Sequence, residues 1–532
     1  MSKYLPIGLI AGLMFTFLQG CGGTGGSGSG SESSPSASIV ISDNPIFNFG
    51  NVTINESLDH TFLITNSGQL SATNLSLNSL AAPFVLKGGS YPGTGGTCST
   101  ELAAGASCTI IISYNPIQLA TNSTSLEISF LDAAANRTSS ITITGNGVSP
   151  IWTGTIQKGV SAKGVGPKGI GIDSKNNIYV TGSSSGGMDG YFVNNGETDF
   201  FLIKYNASGI RQWTKMNGGA AGSWATGIDI DTEDNIYLIF ASTSKSILKK
   251  YSSSGELIWS LDVDTTASVT INDVTHDNDN NVYIAGSTSI GLDGNGQTGT
   301  RDFFVSKLDK NGNKIWTRQL GGTGERTFGN AIGVDITGNV YVAGHTWVAL
   351  DGNIKTGSYN IFLSKYNPSG LKQWTKQLST SNSMATGLSF DSAQNVYVVG
   401  SYNSTYDFLI LNKFDSSGKT LLTVMPDDIP QSNYPSIKID SSDNVFISGY
   451  FTNIYETNRV DYLIAKYSPS GMRSWLKQDG AANKQVRATG IALDSSGSAF
   501  ICGTTTIGLD GNSQTGLTDL FITKFSSAGE KQ

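Results

Sequence analysis

The sequence predicts an all-β protein in which a small N-terminal β-sandwich precedes a seven-bladed β-propeller closed by an N-terminal strand. Two observations carry this prediction. From residue 39 onward, short runs of alternating apolar residues are separated by turn-forming residues, and no segment shows helical periodicity. A turn motif that leads from Asp into an apolar strand recurs seven times, at intervals of 46 to 58 residues.

Residues 1–20 are predicted to be an export signal. Lys3 precedes an apolar stretch, LPIGLIAGLMFTFL (5–18), that is short for a membrane span. The following LQGC (18–21) resembles the lipobox of bacterial lipoproteins, and this resemblance implies that Cys21 carries a lipid, with palmitate among its acyl groups. An ordinary cleaved signal with an incidental Cys21 is the alternative.

Residues 21–38 are rich in Gly and Ser, the composition of a flexible tether. A tether behind a lipidated cysteine suits a protein held at a membrane. We therefore expect an outer membrane lipoprotein of the bacterial envelope, on the surface or the periplasmic face.

Composition and charge narrow the function classes. Gly accounts for 65 of 532 residues and charged residues for 14%, which favours tight turns and short strands. The net charge is −7, and no run of Lys or Arg occurs. The basic footprint of a nucleic-acid-binding protein is therefore absent, and no pattern indicates an oligomeric state.

Residues 39–148 form the predicted sandwich. Its motifs FNFGNV (47–52), LITNSG (63–68) and TCSTELAAGASCTI (97–110) resemble the immunoglobulin-like domains called choice-of-anchor D, which implies a spacer or interaction module. Cys98 and Cys108 are expected to form a disulfide in an exported protein; a metal site is the rival, although no further Cys or His cluster supports it.

Residues 149–532 contain the seven copies. Copy four divides into strands A (331–335), B (339–344), C (360–366) and D (372–378), and four antiparallel strands make one propeller blade. The Asp that opens each A–B turn can accept backbone N–H bonds there. These residues are Asp173, Asp231, Asp277, Asp335, Asp391, Asp440 and Asp494.

The copies share the pattern GI-x-x-D-x-x-x-N-V-Y-V-x-G followed by D-x-F-x-x-K-[YF]-x-x-x-G-x-x-x-W. This pattern resembles the SBBP-type bacterial propeller repeat over residues 151–532, which implies the fold and no particular activity. The seventh copy has no strand D of its own. IWTGTI (151–156) matches QWTKQL (373–378), so we expect it to complete the last blade.

The face that carries the long B–C and D–A connections is the predicted ligand face, because function concentrates on loops carried by a rigid scaffold. The B–C loops provide its candidate residues. Four of them share an Asp-Gly core that offers oxygen ligands, so Ca²⁺ at Asp293, Asp351 and Asp510 is one hypothesis, and a solvated Asp-Gly hairpin turn is the alternative. The candidate face comprises Asp189, Asp293, Asn295, Asp351, Asn353, Asp510 and Asn512.

Catalytic residues are not predicted. His60, His276 and His345 have no identifiable nucleophile or acid–base partner in the sequence, and no cofactor motif other than the Ca²⁺ candidate occurs. We expect a lipid-anchored protein whose propeller binds another macromolecule or a glycan. An extracytoplasmic enzyme acting on polysaccharide and a structural envelope component are the alternatives.

Overall fold

The computed structural model describes residues 35–133, 135–148, 152, 154–191, 198–217, 222–242, 245–264, 268–403, 407–426, 432–452 and 459–532. They belong to two compact units that divide between residues 149 and 150. The predicted signal, Cys21 and most of the tether lie outside the described residues. Within the described ranges, no helix has the length and hydrophobicity needed to cross a bilayer.

The first unit is built from strands in two sheets. The strands are β1 (Ile39–Ile41), β2 (Ile46–Thr53), β3 (Leu58–Asn66), β4 (Ala72–Leu77), β5 (Phe84–Leu86), β6 (Glu101–Leu102), β7 (Ser107–Tyr114), β8 (Thr121–Asp132) and β9 (Ala135–Val148). One sheet has the order β1-β3-β7-β5 and the other β2-β9-β8-β4-β6, in which β2 and β9 run parallel. A 3-10 turn spans Lys87–Gly89.

The alternation of apolar residues in the sandwich strands places one side of each strand in the core. Phe62 and Ile64 on β3 and Ile110 and Ile112 on β7 are fully buried. Cys98 and Cys108 are joined in a disulfide, with their Cα atoms 4.8 Å apart. The bond ties the segment before β6 to the start of β7.

The second unit contains seven four-stranded sheets in its described residues. Sheet 1 comprises β11 (Val165–Ile172), β12 (Ile178–Ser184), β13 (Asp199–Tyr205) and β14 (Arg211–Asn217); sheet 2, β15 (Ser223–Ile230), β16 (Ile236–Ser242), β17 (Ser246–Tyr251) and β18 (Leu257–Asp264); sheet 3, β19 (Val269–His276), β20 (Val282–Thr288), β21 (Asp302–Leu308) and β22 (Lys314–Leu320); and sheet 4, β23 (Thr327–Val334), β24 (Val340–Thr346), β25 (Asn360–Tyr366) and β26 (Lys372–Gln377). Sheet 5 comprises β27 (Ser383–Phe390), β28 (Val396–Asn403), β29 (Asp407–Phe414) and β30 (Thr420–Val424); sheet 6, β31 (Ser432–Ile439), β32 (Val445–Thr452), β33 (Val460–Tyr467) and β34 (Arg473–Asp479); and sheet 7, β35 (Val486–Leu493), β36 (Ala499–Thr505) and β37 (Asp519–Phe525), with β10 (Ile156–Lys158) as its fourth strand.

The two middle strands of a sheet are buried on both faces because neighbouring sheets pack against them. In sheet 4, every residue of β24 and β25 is buried, whereas β26 at the outer edge is largely exposed. This packing explains why VYVAG and NIFLSKY are apolar almost throughout. One hydrophobic cluster joins Val180 of sheet 1 to Phe500 and Cys502 of sheet 7, and Cys502 is a buried, free cysteine.

The repeated Asp holds each A–B turn. In sheet 3, Asp277 accepts hydrogen bonds from the backbone N–H of Asn281 (2.9 Å) and from the hydroxyl of Tyr283 (2.9 Å), and it lies 3.4 Å from the Lys307 ammonium. Burial by itself would raise the pKa of Asp277, but these partners hold it below its usual value. The Asp, Asn, Tyr and Lys of the sequence pattern are therefore one network.

The repeated Trp, where a copy has it, packs against the next sheet, and in sheet 5 Leu422 takes its place. Trp316 of sheet 3 donates its indole N–H to the carbonyl oxygen of Pro368 in the C–D turn of sheet 4 (3.2 Å). Gly370 in that turn has φ of 79°, and a Cβ there would lie 2.8 Å from the indole. Only glycine combines this backbone conformation with so close an approach.

Strand β10 pairs antiparallel with β37, but its register differs from the prediction. Gln157 is opposite Phe521, as Gln377 is opposite Phe362 in sheet 4. Continuing that register places Gly154, not Trp152, at the ladder position of the repeated Trp. The predicted alignment of IWTGTI with QWTKQL is therefore wrong by two residues.

Trp152 nevertheless reaches the space that the repeated indole fills elsewhere. Its ring meets Phe500 edge to face at 5.2 Å, and it packs against Gly209 in the C–D turn of sheet 1. Gly154, whose φ is 116°, lies two residues after Trp152 and occupies the ladder position predicted for it. The sequence match identified the Trp correctly. It did not reveal that the Trp side chain extends from a backbone position shifted by two residues.

Candidate functional site

A cavity of about 610 Å³ lies between the sheets of the second unit, and residues from all seven sheets line it. Most come from the first strand of each sheet, where a β-bulge interrupts the pairing with the second strand, as between Pro167 and Gly169 in sheet 1. Bulges re-aim side chains. Here the bulged residue presents its side chain to the cavity.

The bulged side chains also fasten one sheet to the next. Asn272 of sheet 3 donates to the carbonyl oxygen of Gly329 in sheet 4 (2.8 Å), and Thr489 of sheet 7 donates to that of Pro167 in sheet 1 (2.9 Å). The wall of the cavity is therefore preorganised by side chain to backbone bonds.

The charged lining is predominantly basic. Lys168, Lys438 and Arg487 line the cavity, and among the described lining residues Asp273 is the only carboxylate. This local excess of positive charge contrasts with the net charge of −7 for the chain. Low-dielectric walls strengthen such a field inside a concave site.

Asp273 is half-buried. Part of the residue is open to the cavity, and protein surrounds its carboxyl group on the other sides. It accepts hydrogen bonds from the backbone N–H groups of Ile332 and Val274, each at 2.9 Å. Burial raises the pKa of Asp273 to about 7, against the effect of these bonds and of Lys438. Near neutral pH the group is therefore divided between its two protonation states.

Each of the three histidines contacts a neighbouring side chain of its own unit. His276 is 2.6 Å from Asp229; burial lowers its pKa, but the Asp229 hydrogen bond outweighs this and leaves the pKa above the usual value. His345 is buried beside Phe328, and burial lowers its pKa to about 4. His60, in the sandwich, stacks on Phe47 with ring centroids 3.8 Å apart.

The predicted acidic residues of the long loops are held by bonds within the unit. Asp293 binds the ammonium of Lys314 (2.8 Å) and accepts from the hydroxyl of Thr317 (2.6 Å). Lysines likewise bind the other three carboxylates, and these partners hold the pKa of all four groups low although burial opposes the shift: Asp189 with Lys158, Asp351 with Lys372 and Asp510 with Lys531.

The same loops form tight turns. Asp293 and Gly294 both have positive φ, and the N–H of Asn295 bonds to the carbonyl of Leu292 (2.8 Å), the pattern of a two-residue hairpin turn. The Asn295 side chain also bonds to Leu292, and Asn353 and Asn512 do the same in their own loops. This geometry is that of an Asp-Gly hairpin turn, the alternative to a Ca²⁺ site in these loops.

The loop residues are not brought together. The four loops belong to four different sheets, and no group of three or more His, Cys, Asp or Glu in the described part of the chain could hold a metal ion. The Ca²⁺ hypothesis at Asp293, Asp351 and Asp510 thus gains no support, and ligand contact by the seven predicted residues stays a prediction.

The residues that line the cavity were not predicted from the sequence, although two of them depart from the repeat pattern. Asp273 occupies a position where the other copies have Gly, Ala or Ser, and Lys168 one where five copies have Thr or Asn. A charged residue at a position where other copies have a small or neutral residue is the signal that could have identified Asp273 and Lys168. Tyr434 and Arg487 lie in columns without a shared residue type, so the sequence alone contains no comparable signal for them.

Family comparison agrees with this architecture. The family model for the SBBP β-propeller repeat matches residues 155–187, 315–350, 373–408 and 474–510, and a model for the HYDIN/CFA65/VesB-like Ig-like domain matches residues 39–146. The chain thus contains SBBP repeats and an Ig-like domain. The choice-of-anchor D type stays a prediction.

Individual relatives are distant. An uncharacterized WD repeat-containing protein of Acanthamoeba polyphaga mimivirus is 23% identical over 54% of this chain, which spans only 24% of that relative. A quinonprotein alcohol dehydrogenase-like structure from Bacteroides thetaiotaomicron is 11% identical, with 93% of this chain and 95% of that chain covered and a TM-score of 0.36. The VesB protease of Vibrio cholerae is 19% identical over 21% of this chain and 31% of its own, with a TM-score of 0.17. Both TM-scores are too low to support a functional argument.

Proposed function

We propose that the seven sheets form a closed seven-bladed propeller. Closure is supported by the pairing of β10, from the start of this unit, with β37 of the last sheet. It is also supported by two contacts between sheets 1 and 7, the Thr489 to Pro167 hydrogen bond and the shared hydrophobic cluster. Asn176 and Ser495, in the A–B turns of sheets 1 and 7, also bond to each other through two hydrogen bonds, at 3.1 and 3.2 Å. Equivalent turn bonds join consecutive sheets, such as Ser174 with Asp234.

We infer that the propeller is a binding module and that its central cavity is the ligand site. The observation that carries this inference is the cavity itself, a preformed space of about 610 Å³ in the size range of small-ligand sites. A polysaccharide-degrading enzyme would require a pair of acid–base groups in reach of one bond. The described lining supplies one carboxylate, Asp273, which favours binding.

The remaining parts of the proposal concern placement. A lipid at Cys21 and the tether would hold the protein at the bacterial envelope, and the Ig-like domain would act as the spacer that presents the propeller. The ligand would be a glycan or another macromolecule that inserts one group into the cavity. The lipobox resemblance and the composition of residues 21–38 support this arrangement.

The binding proposal is tested by blocking the cavity. The full chain in detergent is screened on glycan and protein arrays beside Ser183→Trp, which adds bulk to the cavity wall, and Gln373→Trp, which adds the same bulk to the exposed outer strand of sheet 4. We expect array signals that Ser183→Trp loses and Gln373→Trp keeps. Signals unaffected by either change would reject the cavity as the site, and shortened products from a bound glycan would indicate an enzyme.

The anchor is tested separately. Metabolic labelling with a fatty acid should mark the protein and fail to mark Cys21→Ser, which should leave the membrane fraction. Equal labelling of both proteins would refute lipid attachment at this residue.

A further inference from the structure

Three cationic side chains in the cavity form no ion pair with any described residue. Lys168 comes from sheet 1, Lys438 from sheet 6 and Arg487 from sheet 7, and these sheets are consecutive neighbours. Some lysines elsewhere in this unit are paired with carboxylates, as Lys250 is with Asp231 at 3.1 Å. Unmatched positive charges gathered on one side of a cavity indicate an anionic ligand.

Arg487 has the most specific signal of the three. Its Nε is buried and has no hydrogen-bond partner among the described residues. A buried donor without an acceptor is costly and needs an explanation. Because Arg487 lines the cavity, a bound anion can supply hydrogen-bond acceptors to its guanidinium.

Two tyrosines stand beside Arg487. Its guanidinium lies 5.3 Å from the centre of the Tyr450 ring, which stacks with Tyr434 at 6.4 Å. Tyr434 is 62% exposed, and its φ is 47°, a left-handed conformation that is rare for a bulky residue. Such strain clusters at ligand sites, and the exposed ring offers an apolar surface on which a ligand ring can lie.

The same cavity offers hydrogen-bond acceptors. Asn272 and Asn330 are oriented by bonds from their Nδ2 atoms to the carbonyls of Gly329 and Ala385, each at 2.8 Å. Their side-chain oxygens accept no hydrogen bond from the described residues. An amide oxygen held in this way can accept a bond from a ligand hydroxyl.

We propose that the cavity binds a saccharide bearing an anionic group. The anion accepts hydrogen bonds from Arg487, Lys168 and Lys438, the sugar ring lies on Tyr434, and its hydroxyls donate to the two asparagines. This inference rests on the proposed binding function and adds the chemical class of the ligand. Sugar carboxylates and sugar sulfates share the required charge.

Calorimetry on the full chain in detergent tests the proposal with four probes: digalacturonate, a sulfated digalactose, neutral digalactose and inorganic phosphate. We expect at least one of the two charged disaccharides to bind at least tenfold more tightly than digalactose and phosphate. The better one identifies the source of the anion. Raising the salt concentration should weaken its binding.

Variants then locate the contact. Arg487→Gln should weaken binding of the charged disaccharide by about 10- to 100-fold, the range for a hydrogen bond to a charged group. Lys376→Gln removes the same charge from the exposed outer strand of sheet 4 and should have no effect. Because Arg487→Gln could disturb the wall, Tyr434→Ala provides a second test at an exposed position: it should weaken binding, and Tyr434→Phe should restore it.

The outcomes separate this inference from the binding function. If Ser183→Trp abolishes array binding but neutral and charged disaccharides bind equally, the cavity is a ligand site and the acidic saccharide is refuted. If phosphate binds as well as the charged disaccharides, the saccharide part is refuted. If charged disaccharides bind but Arg487→Gln, Tyr434→Ala and Lys376→Gln all bind as the parent does, the cavity assignment is refuted.

Discussion

Gln157 provides the sharpest test of how the last sheet is completed. Its side-chain amide donates to the carbonyl of Ile507 (3.0 Å) and to the carboxylate of Asp519 (2.9 Å), and its oxygen accepts from the N–H of Leu509 (2.9 Å). All three partners lie more than 300 residues away in the sequence. Gln157→Ala removes these bonds with little change to the β10 backbone.

The chain contains a matched control for this substitution. In sheet 3, Gln319 makes the same three bonds, to Ile290, Asp302 and Leu292, at 3.1, 2.9 and 3.1 Å. Its strand is continuous with the rest of its sheet, so its bonds form whether or not the N-terminal strand docks. Gln319→Ala therefore measures what this set of bonds contributes.

The expected cost follows from the bonds. Two bonds to neutral groups contribute about 0.5–1.5 kcal/mol each, and the bond to a carboxylate about 1.5–3 kcal/mol. Allowing for partial solvent access, each substitution should lower the free energy of unfolding by about 2–5 kcal/mol. In a unit of this size, that is a fall in Tm of roughly 2–6 °C.

Scanning calorimetry of the parent and both variants decides the question. Comparable falls in Tm would support docking of β10 in solution. A normal Tm for Gln157→Ala beside a lowered Tm for Gln319→Ala would refute completion of sheet 7 by this strand. Circular dichroism should show unchanged strand content in both variants at 20 °C.

Three further predictions concern other sites. Asp273→Asn should stabilise the protein at pH 8. The folded pKa of about 7 exceeds the unfolded value of 3.8, so the parent loses stability as the pH rises between these values, by at most about 4 kcal/mol. Urea unfolding at pH 4 and pH 8 should show a difference between the two proteins only at pH 8. Asp293→Ser should cost about 1–2 kcal/mol by breaking its bonds to Lys314 and Thr317, whereas a role limited to ligand contact would leave Tm unchanged in calorimetry. Cys98→Ser should destabilise the sandwich by about 2–3 kcal/mol, the value for a loop with a sequence separation of 10, and alkylation mapping of the unreduced parent should find neither Cys98 nor Cys108 free.

Much of the fold could be read from local patterns. The strands predicted for copy four agree with β24, β25 and β26 to within two residues, and β23 begins four residues before the predicted strand A. The discrepancy lies where the bulge interrupts the pairing of β23 with β24. A bulge depends on the partner strand, so alternation within one strand does not reveal it.

The acidic residues of the loops show what local patterns leave open. Asp-Gly in a long loop indicates either a ligand site or a hairpin turn, and the sequence does not decide between them. The structure favours the turn because Lys314 and Thr317, more than 20 residues after Asp293, return on the adjacent strand to bind its carboxylate.

The sequence by itself determined the repeat, because the recurring Asp, Asn, Tyr and Trp act over short separations or on the neighbouring copy, and their spacing is visible in the linear chain. Only the tertiary structure decided the register of β10 and the composition of the cavity. Lys168 and Arg487 are 319 residues apart in the sequence and line the same cavity because the first and last sheets pack together. A site assembled from one side chain per repeat has no local signature, since each residue acquires its role from partners that other sheets supply.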